Sequence, residues 1–258
     1  MDILKNRNFI LFLLGSFLIP LASITAQTMI SNDFICFVLY GIQAAAPTIS
    51  AIIVLWLNKE VKIHFAQLFR KEYLKRAVIL PFSIACMTML LAKIVFCVLS
   101  EKAFVLGYLS AVQWVIILWA VWAEEIGWRG YLEPLLKMHG VHRWAAPCMV
   151  GVIWCLWHYH FFLQRGMEVP VPLFLISCII ESYIYSFFMS LTRNNLVSAM
   201  TYHFAWNLFM HIAAVSPADN DGNLFPYIIL AMLEAVVLCV FWSVRKMRVR
   251  RAAENLLL

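Results

Sequence analysis

The sequence predicts an all-α fold: a polytopic membrane bundle of about eight transmembrane helices, with residues 1–258 forming a single integral-membrane domain. Two observations carry this prediction. First, 64% of the 258 residues are hydrophobic and only 13% are charged, whereas globular domains are about 45–50% apolar and about 25% charged. Second, apolar runs of about 20 residues, enough to cross a hydrocarbon core of about 30 Å, recur along the whole chain.

Eight segments have the length and the apolar character of a membrane-spanning helix. In chain order they are Asn8–Thr25, Phe34–Leu57, Ala77–Leu99, Val105–Ile126, Trp144–Leu163, Val171–Leu191, Leu196–Val215 and Leu224–Val244. The first run follows Lys5 and Arg7, as the apolar part of a signal peptide does, but no small-x-small cleavage site follows it. We therefore interpret it as a retained anchor.

Lysine and arginine are distributed unequally between the two sets of connections. Of the 20 basic residues, 17 lie before the first span, after the last one, or in the second, fourth and sixth connections. Lys102 and Arg165 lie in the opposite set, and Lys93 lies inside a span. The positive-inside rule then predicts that both termini are cytoplasmic. That orientation requires an even number of spans, which agrees with eight.

Residues 58–76, the second connection, interleave apolar and basic side chains. The apolar ones are Ile63, Phe65, Leu68 and Phe69, and the pattern is typical of a helix lying on an anionic membrane surface. We expect an amphipathic helix at the cytoplasmic interface, and a plain solvated connector is the alternative. The net charge of +6 mostly reflects the bias of the connections, so no nucleic-acid partner is predicted.

Two adjacent glutamates and an arginine interrupt the fourth span. An ionised group at the centre of a bilayer costs about 2.5–3.5 kcal/mol on insertion scales. The presence of three such residues in an apolar span therefore indicates a compensating interaction or a function. Glu125 and Arg129 are spaced i, i+4, share a helical face and can pair. Glu124 is rotated by about 100° from Glu125 and has no partner nearby in the sequence. Glu124 is therefore the candidate for chemistry.

Further polar residues lie inside two later spans. His158 lies in the fifth span, and His203 and Asn207 are spaced i, i+4 in the seventh. A rise of about 1.5 Å per residue, counted from the cytoplasmic turns, places them at a depth comparable to that of Glu124. Taken singly, a membrane histidine is more often a hydrogen-bonding link between helices. Together, the four side chains favour an active site in one cavity.

Such a set can hydrolyse an acyl or peptide bond. A glutamate and a histidine can hold and deprotonate a water molecule, while an imidazole and an amide can donate to a developing oxyanion. No serine or cysteine nucleophile accompanies the set, so a covalent intermediate is not expected. Glu124, His158 and His203 would also form a His₂Glu zinc set, although the HExxH spacing of zinc proteases is absent.

Three motifs carry a resemblance to a known family. Glu124-Glu125-x-x-x-Arg129, Trp154-x-x-x-His158 and His203-x-x-x-Asn207 resemble, in this order, the motifs of the CAAX protease and bacteriocin-processing (CPBP/Abi) family. These are intramembrane glutamic endopeptidases related to the type II CAAX prenyl endopeptidase. The resemblance covers residues 105–213, which we interpret as the catalytic core. Trp154 stands where members often carry phenylalanine.

The resemblance implies eight helices and a role for each motif residue. Glu124 and His158 would activate the water, while His203 and Asn207 would stabilise the oxyanion. Glu125 and Arg129 would be structural. The resemblance also points to glutamate-activated water with no metal cofactor, and zinc is the less favoured alternative.

We therefore expect an intramembrane endopeptidase that cuts a peptide or protein, with lipidated and membrane-embedded substrates both compatible. The alternative is a non-catalytic membrane immunity or scaffold protein that binds a peptide or partner in the same cavity. The compact chain resembles prokaryotic members of the family, which implies a multi-pass protein of the plasma (cytoplasmic) membrane. Besides its substrate, the lipid bilayer is the partner that the sequence indicates.

Overall fold

The computed structural model describes residues 3–164 and 168–254, with side chains up to Met247, and these residues contain helices and no strand. The predicted all-α class is confirmed. Arg165, which was counted above for orientation, lies outside the described residues. The α-helices are α1 (Arg7–Met29), α2 (Asp33–Ala44), α3 (Ala46–Leu57), α4 (Val61–Leu68), α5 (Leu74–Leu99), α6 (Ala111–Glu125), α7 (Glu133–Met138), α8 (Ala145–Trp157), α9 (Tyr159–Gln164), α10 (Val171–Leu191), α11 (Leu196–Ala213) and α12 (Phe225–Glu254).

Several of these helices are long and apolar enough to cross a membrane. Five pass by length and composition within the described residues, and the bent pair α2–α3 raises the number to six. The chain is therefore a multi-pass membrane protein, while the count of eight stays a prediction. Two predicted spans do not meet these criteria of length and apolar composition. The helix α6 has only 15 residues, and α11 carries the polar residues His203, Asn207 and His211.

Two predicted spans also differ in shape from uninterrupted helices. Residues 105–110 of the fourth span are not helical, because the Ser110 side chain caps α6 and forms a capping box with Gln113. The second predicted span, Phe34–Leu57, bends by 62° between α2 and α3. Pro47, at the start of α3, has no N–H with which to continue the hydrogen bonding of α2.

The distribution of side chains is that of a protein surrounded by lipid. Large apolar side chains on the long helices point outward, and Trp56, Met87 and Val98 are each about 70% exposed. Several charged side chains lie inside instead, and Glu125 and Arg129 are fully buried. Charged groups within a membrane generally face the interior of the bundle, where they can find partners.

A π-helical segment, Ile126–Leu132, joins α6 to α7 and lies against α3. A Cβ atom built on Gly127 would lie 2.5 Å from the backbone carbonyl carbon of Pro47, so only glycine permits this approach. The next residue, Trp128, packs its ring edge to face on Phe12 of α1 and Trp157 of α8, with centroids 5.7 Å apart in both pairs. These contacts hold the end of α6, and with it the two glutamates, at the centre of the bundle.

The predicted amphipathic segment, residues 58–76, contains α4 and ends at the start of α5. Leu68 of α4 is buried and lies next to Gly130 of the π-helical segment, whereas Ile63 is 65% exposed. One side of α4 therefore packs on the protein and another is open. Its position on a membrane surface stays a prediction.

Candidate active site

A cavity of about 220 Å³ lies between α6, α8, α9, α10 and α11. It is lined by all four side chains that the sequence analysis singled out for chemistry. These are Glu124, His158, His203 and Asn207. Its other walls are mostly apolar or aromatic, formed by Ile116, Ile117, Ala120, Trp154, Phe161, Phe174, Tyr185 and Trp206, with Glu181 and His211 also present. Three distant segments of the chain thus bring their polar groups to one enclosed space.

Glu124 lies in the last turn of α6, directly before the π-helical segment. Its side chain is buried, and its Oε2 atom accepts a hydrogen bond from Nε1 of Trp154 at 2.8 Å. A carboxylate can accept several further hydrogen bonds. The indole therefore fixes the orientation of the carboxylate, and the other oxygen, which has no hydrogen bond within the described residues, can bind a molecule in the cavity.

His158 occupies the break between α8 and α9. Its Nδ1 atom lies 2.7 Å from the carbonyl oxygen of Trp154, and a carbonyl can only accept, so Nδ1 carries the proton. In a neutral imidazole the other nitrogen, Nε2, is then an acceptor. The ring is held edge to face by Trp157 and Phe174, with centroids 5.0 and 4.9 Å away. His158 is thus a half-buried base in a fixed orientation.

Glu125 has two partners. Its Oε1 atom accepts from Nη1 of Arg129 at 3.2 Å and from Nδ1 of His203 at 2.8 Å. The i, i+4 spacing predicted the pairing of Glu125 with Arg129, and the family resemblance implied a structural role for both, but neither predicted the bond to His203. The i, i+4 spacing could not show this contact, because it joins α6 to α11 across 78 residues.

Arg129 is fully buried in a site made of aromatic rings. Its guanidinium carbon lies 4.5 Å from the ring centroid of Trp154 and 3.9 Å from that of Tyr185. Its Nη2 atom also donates to the Ser182 hydroxyl at 3.2 Å. Stacking of this kind stabilises a desolvated cation by about 2 kcal/mol. Arg129 therefore connects the ion pair of α6 to α8 and α10.

Asn207 lies one helical turn after His203 on α11, so both side chains face the cavity. The described structure gives the Asn207 side chain no hydrogen bond. An amide has two N–H donors and one carbonyl acceptor. Its donors are therefore available to a molecule in the cavity.

Glu181 of α10 is a cavity residue whose surroundings the sequence did not determine. Its side chain is 4% exposed and lines the cavity, yet it has no hydrogen bond or ion pair within the described structure. Glu234 of α12 differs, because it accepts from Nε1 of Trp206 at 2.7 Å. Lys93, the third intramembrane charge of the sequence, is buried near the Phe96 ring and does not line the cavity.

A second, apolar cavity of about 380 Å³ adjoins the first on the other side of Glu124. It lies between α2 and α6. Its walls are formed by Phe37, Val38, Tyr40, Gly41, Ile42, Ala44, Val115, Ile116, Trp119, Ala120 and Phe161, together with Glu124. Trp119 bridges the two helices by donating from Nε1 to the carbonyl of Gly41 at 2.9 Å. The Glu124 carboxylate therefore stands between the two cavities.

Metal binding requires several ligand side chains placed close together. Within residues 3–164 and 168–254, no three His, Cys, Asp or Glu side chains come together in a way that could hold a metal ion. Nδ1 of His203 already donates a hydrogen bond to Oε1 of Glu125, and Nδ1 of His158 donates one to the carbonyl oxygen of Trp154. These bonds leave one nitrogen of each histidine for other partners.

Comparison with known proteins bears on the same part of the chain. Residues 103–209 match the model of a family described as type II CAAX prenyl endopeptidase, Rce1-like. The CAAX prenyl protease 2 of Methanococcus maripaludis is 23% identical over 133 residues, which cover 48% of this chain and 47% of that protein. The chain thus spans about half the length of the curated relative that it matches. The matched region contains α6, the π-helical segment, α7 to α10 and most of α11, and this part of the chain is similar to the Rce1-like type II CAAX prenyl endopeptidase family.

Proposed function

We propose that this protein is an intramembrane endopeptidase of the CAAX protease type, which hydrolyses a peptide bond with water activated by Glu124 and His158. The observation that carries the proposal is the cavity in which Glu124, His158, His203 and Asn207 converge. These residues come from three separate segments of an apolar bundle, where each unpaired polar group costs free energy.

The first step of the reaction is the activation of water. A water molecule held between the free oxygen of Glu124 and Nε2 of His158 gives a proton to the carboxylate while its oxygen attacks the scissile carbonyl carbon. The protonated Glu124 then returns the proton to the leaving amine as the carbon–nitrogen bond breaks. A positioned acid–base group of this kind contributes about 10²- to 10⁴-fold to a rate.

The second requirement is stabilisation of the negative charge on the carbonyl oxygen. Asn207 can donate to it directly. His203 donates its Nδ1 proton to Oε1 of Glu125, so it can donate from Nε2 to an oxyanion when the imidazole is protonated. The Glu125 carboxylate holds the His203 ring through Nδ1 and leaves Nε2 for other partners. We therefore assign Glu125 and Arg129 a positioning role for His203 in addition to holding helices together.

The apolar cavity beside Glu124 supports a substrate with an apolar part. A peptide bond at Glu124 would lie next to a space lined by aromatic and aliphatic side chains from α2 and α6. Burial of apolar surface there contributes about 25 cal/mol per Å². We propose a peptide or protein substrate whose cleaved bond lies near a lipid group or a transmembrane segment. We also propose the plasma (cytoplasmic) membrane and cytoplasmic termini for this protein.

The proposal is tested with the purified full-length protein reconstituted in lipid nanodiscs. Two internally quenched peptides serve as probes, one with a farnesylated cysteine before the cleavage position and one identical but unmodified. We expect cleavage to fall by about 10²- to 10⁴-fold in Glu124→Gln and in His158→Ala. Glu133→Gln is the matched control, because Glu133 is also a buried glutamate but does not line the cavity.

Several outcomes would contradict the proposal. Cleavage by Glu124→Gln at the wild-type rate would refute the mechanism, and a cellular phenotype that survives this change would favour an immunity or scaffold role. If a chelator abolished turnover and zinc restored it, the metal-free mechanism would be wrong. Membranes from cells that carry wild-type protein or Glu124→Gln are compared by proteomics to find a peptide that accumulates uncut.

A further inference from the structure

A third cavity lies away from the candidate active site, in a crevice between α8, α10 and α12. Its volume is about 250 Å³. It lies at the end of the bundle where α8 begins and α10 ends, which the distribution of basic residues assigns to the cytoplasmic side. Its inner wall is apolar and is formed by Pro147, Phe187, Leu238 and Phe241.

Aromatic and cationic side chains form the mouth of this crevice. The rings of Trp144 and Trp242 stack across it, with centroids 5.4 Å apart and planes 18° from parallel. Both arginines of the crevice face the same indole: the guanidinium carbons of Arg143 and Arg245 lie 5.7 and 4.7 Å from the Trp144 ring centroid. Two cations are therefore held beside one aromatic ring.

Neither arginine has an acidic partner in the described part of the chain. The other polar groups of the crevice are already engaged, since Tyr183 donates to the carbonyl of Trp144 at 2.7 Å and Ser186 donates to Glu133 at 2.6 Å. Glu133 is itself paired with Lys137. The crevice thus offers two guanidinium groups whose mutual repulsion an anion would offset.

We propose that this crevice binds the phosphate of an anionic phospholipid, with an acyl chain against its apolar wall. Guanidinium groups match phosphate oxygens in geometry and charge. Basic pockets between membrane helices on the cytoplasmic side are suited to such headgroups, and tryptophan is favoured at the same depth. A free phosphate would leave the apolar wall unused. The inference is independent of the proposed peptidase activity.

The test measures lipid binding to the delipidated full-length protein by native mass spectrometry. The probes are dioleoyl phosphatidylglycerol, dioleoyl phosphatidylcholine and glycerol phosphate. We expect phosphatidylglycerol to bind most tightly, and the double variant Arg143→Gln/Arg245→Gln to weaken its binding by about 30-fold. The control Lys5→Gln/Arg7→Gln removes the same charge from exposed positions outside the crevice, and its affinity should stay within about twofold of wild type.

A further variant, Leu238→Trp, fills the apolar wall without changing the charge and should also weaken phosphatidylglycerol binding. This variant keeps the test decisive if the double arginine variant fails to fold. Equal binding of the two phospholipids would overturn the proposal, and so would an equal loss in the Lys5→Gln/Arg7→Gln control, which would indicate general attraction to anionic lipid. Glycerol phosphate binding as tightly as phosphatidylglycerol would show a free-phosphate site instead.

Discussion

The buried pair Glu125–Arg129 allows a quantitative prediction from a double-mutant cycle. Both side chains are fully buried and joined at 3.2 Å. Arg129→Met keeps the length of the side chain but removes its charge, and it leaves the Glu125 carboxylate with His203 alone. Breaking a buried pair by removing one partner costs about 3–5 kcal/mol, so we expect this loss in the free energy of unfolding.

The double variant Glu125→Gln/Arg129→Met should lose less free energy of unfolding than the sum of the losses of the two single variants. No uncompensated charge stays buried in it, and the carbonyl oxygen of the new glutamine can still accept from His203. We expect a coupling energy of about 2–3 kcal/mol, at the upper end for residues in contact. The pair Glu133–Lys137 is the control, because the Lys137 side chain is 38% exposed and such pairs contribute about 0–1 kcal/mol.

The assay is reversible unfolding in mixed micelles by titration with sodium dodecyl sulfate, followed by tryptophan fluorescence. The four proteins of each cycle are measured under the same conditions. Additive losses for Glu125 and Arg129, with a coupling below about 0.5 kcal/mol, would show that the two charges do not depend on each other. The reasoning from their burial and contact would then be wrong.

Three further predictions use contacts described above. Gly127→Ala should cost about 3 kcal/mol or more in thermal unfolding, because its Cβ would lie 2.5 Å from the backbone of α3. Gly41→Ala, whose Cβ would have 3.6 Å of clearance, should be neutral or slightly stabilising, and equal losses would contradict the steric argument. Trp154→Phe removes the hydrogen bond to the Glu124 carboxylate, so cleavage should fall about tenfold; an unchanged kcat would show that this bond is dispensable. Glu181→Gln should leave stability unchanged or raise it by about 1 kcal/mol, because that acid has no hydrogen bond or ion pair among the described residues, whereas Glu234→Gln should lower it by about 1–2 kcal/mol through loss of a charge-assisted bond. The reverse order of these two variants in denaturant titration would refute that assignment.

Much of the fold class followed from composition and periodicity. An apolar run about 20 residues long must form a helix in a bilayer, because its backbone groups find no other partners there. The positions of α1, α10 and α12 agree closely with predicted spans for this reason. The bend between α2 and α3 and the extended residues before α6 were not anticipated, because Pro47 and the Ser110 cap act locally within otherwise apolar runs.

The sequence also predicted the motif residues of the candidate site, but it did not predict their partners on other helices. Glu125 and Arg129 were expected to pair because they are one helical turn apart, and they do. The bonds from His203 to Glu125 and from Trp154 to Glu124 join different helices. Sequence periodicity shows which face of a helix a residue occupies, but not which face of another helix it meets.

The sequence by itself thus determined a membrane protein with helical spans, an order of motifs and a set of polar side chains that needed a reason to be buried. Tertiary structure alone decided that Glu124 stands between a polar and an apolar cavity and that Glu125 supports a histidine as well as an arginine. The physical reason is that hydropathy and spacing act within one segment of chain. Partners across the bundle are set by how whole helices pack, through close approaches such as that of Gly127 to Pro47.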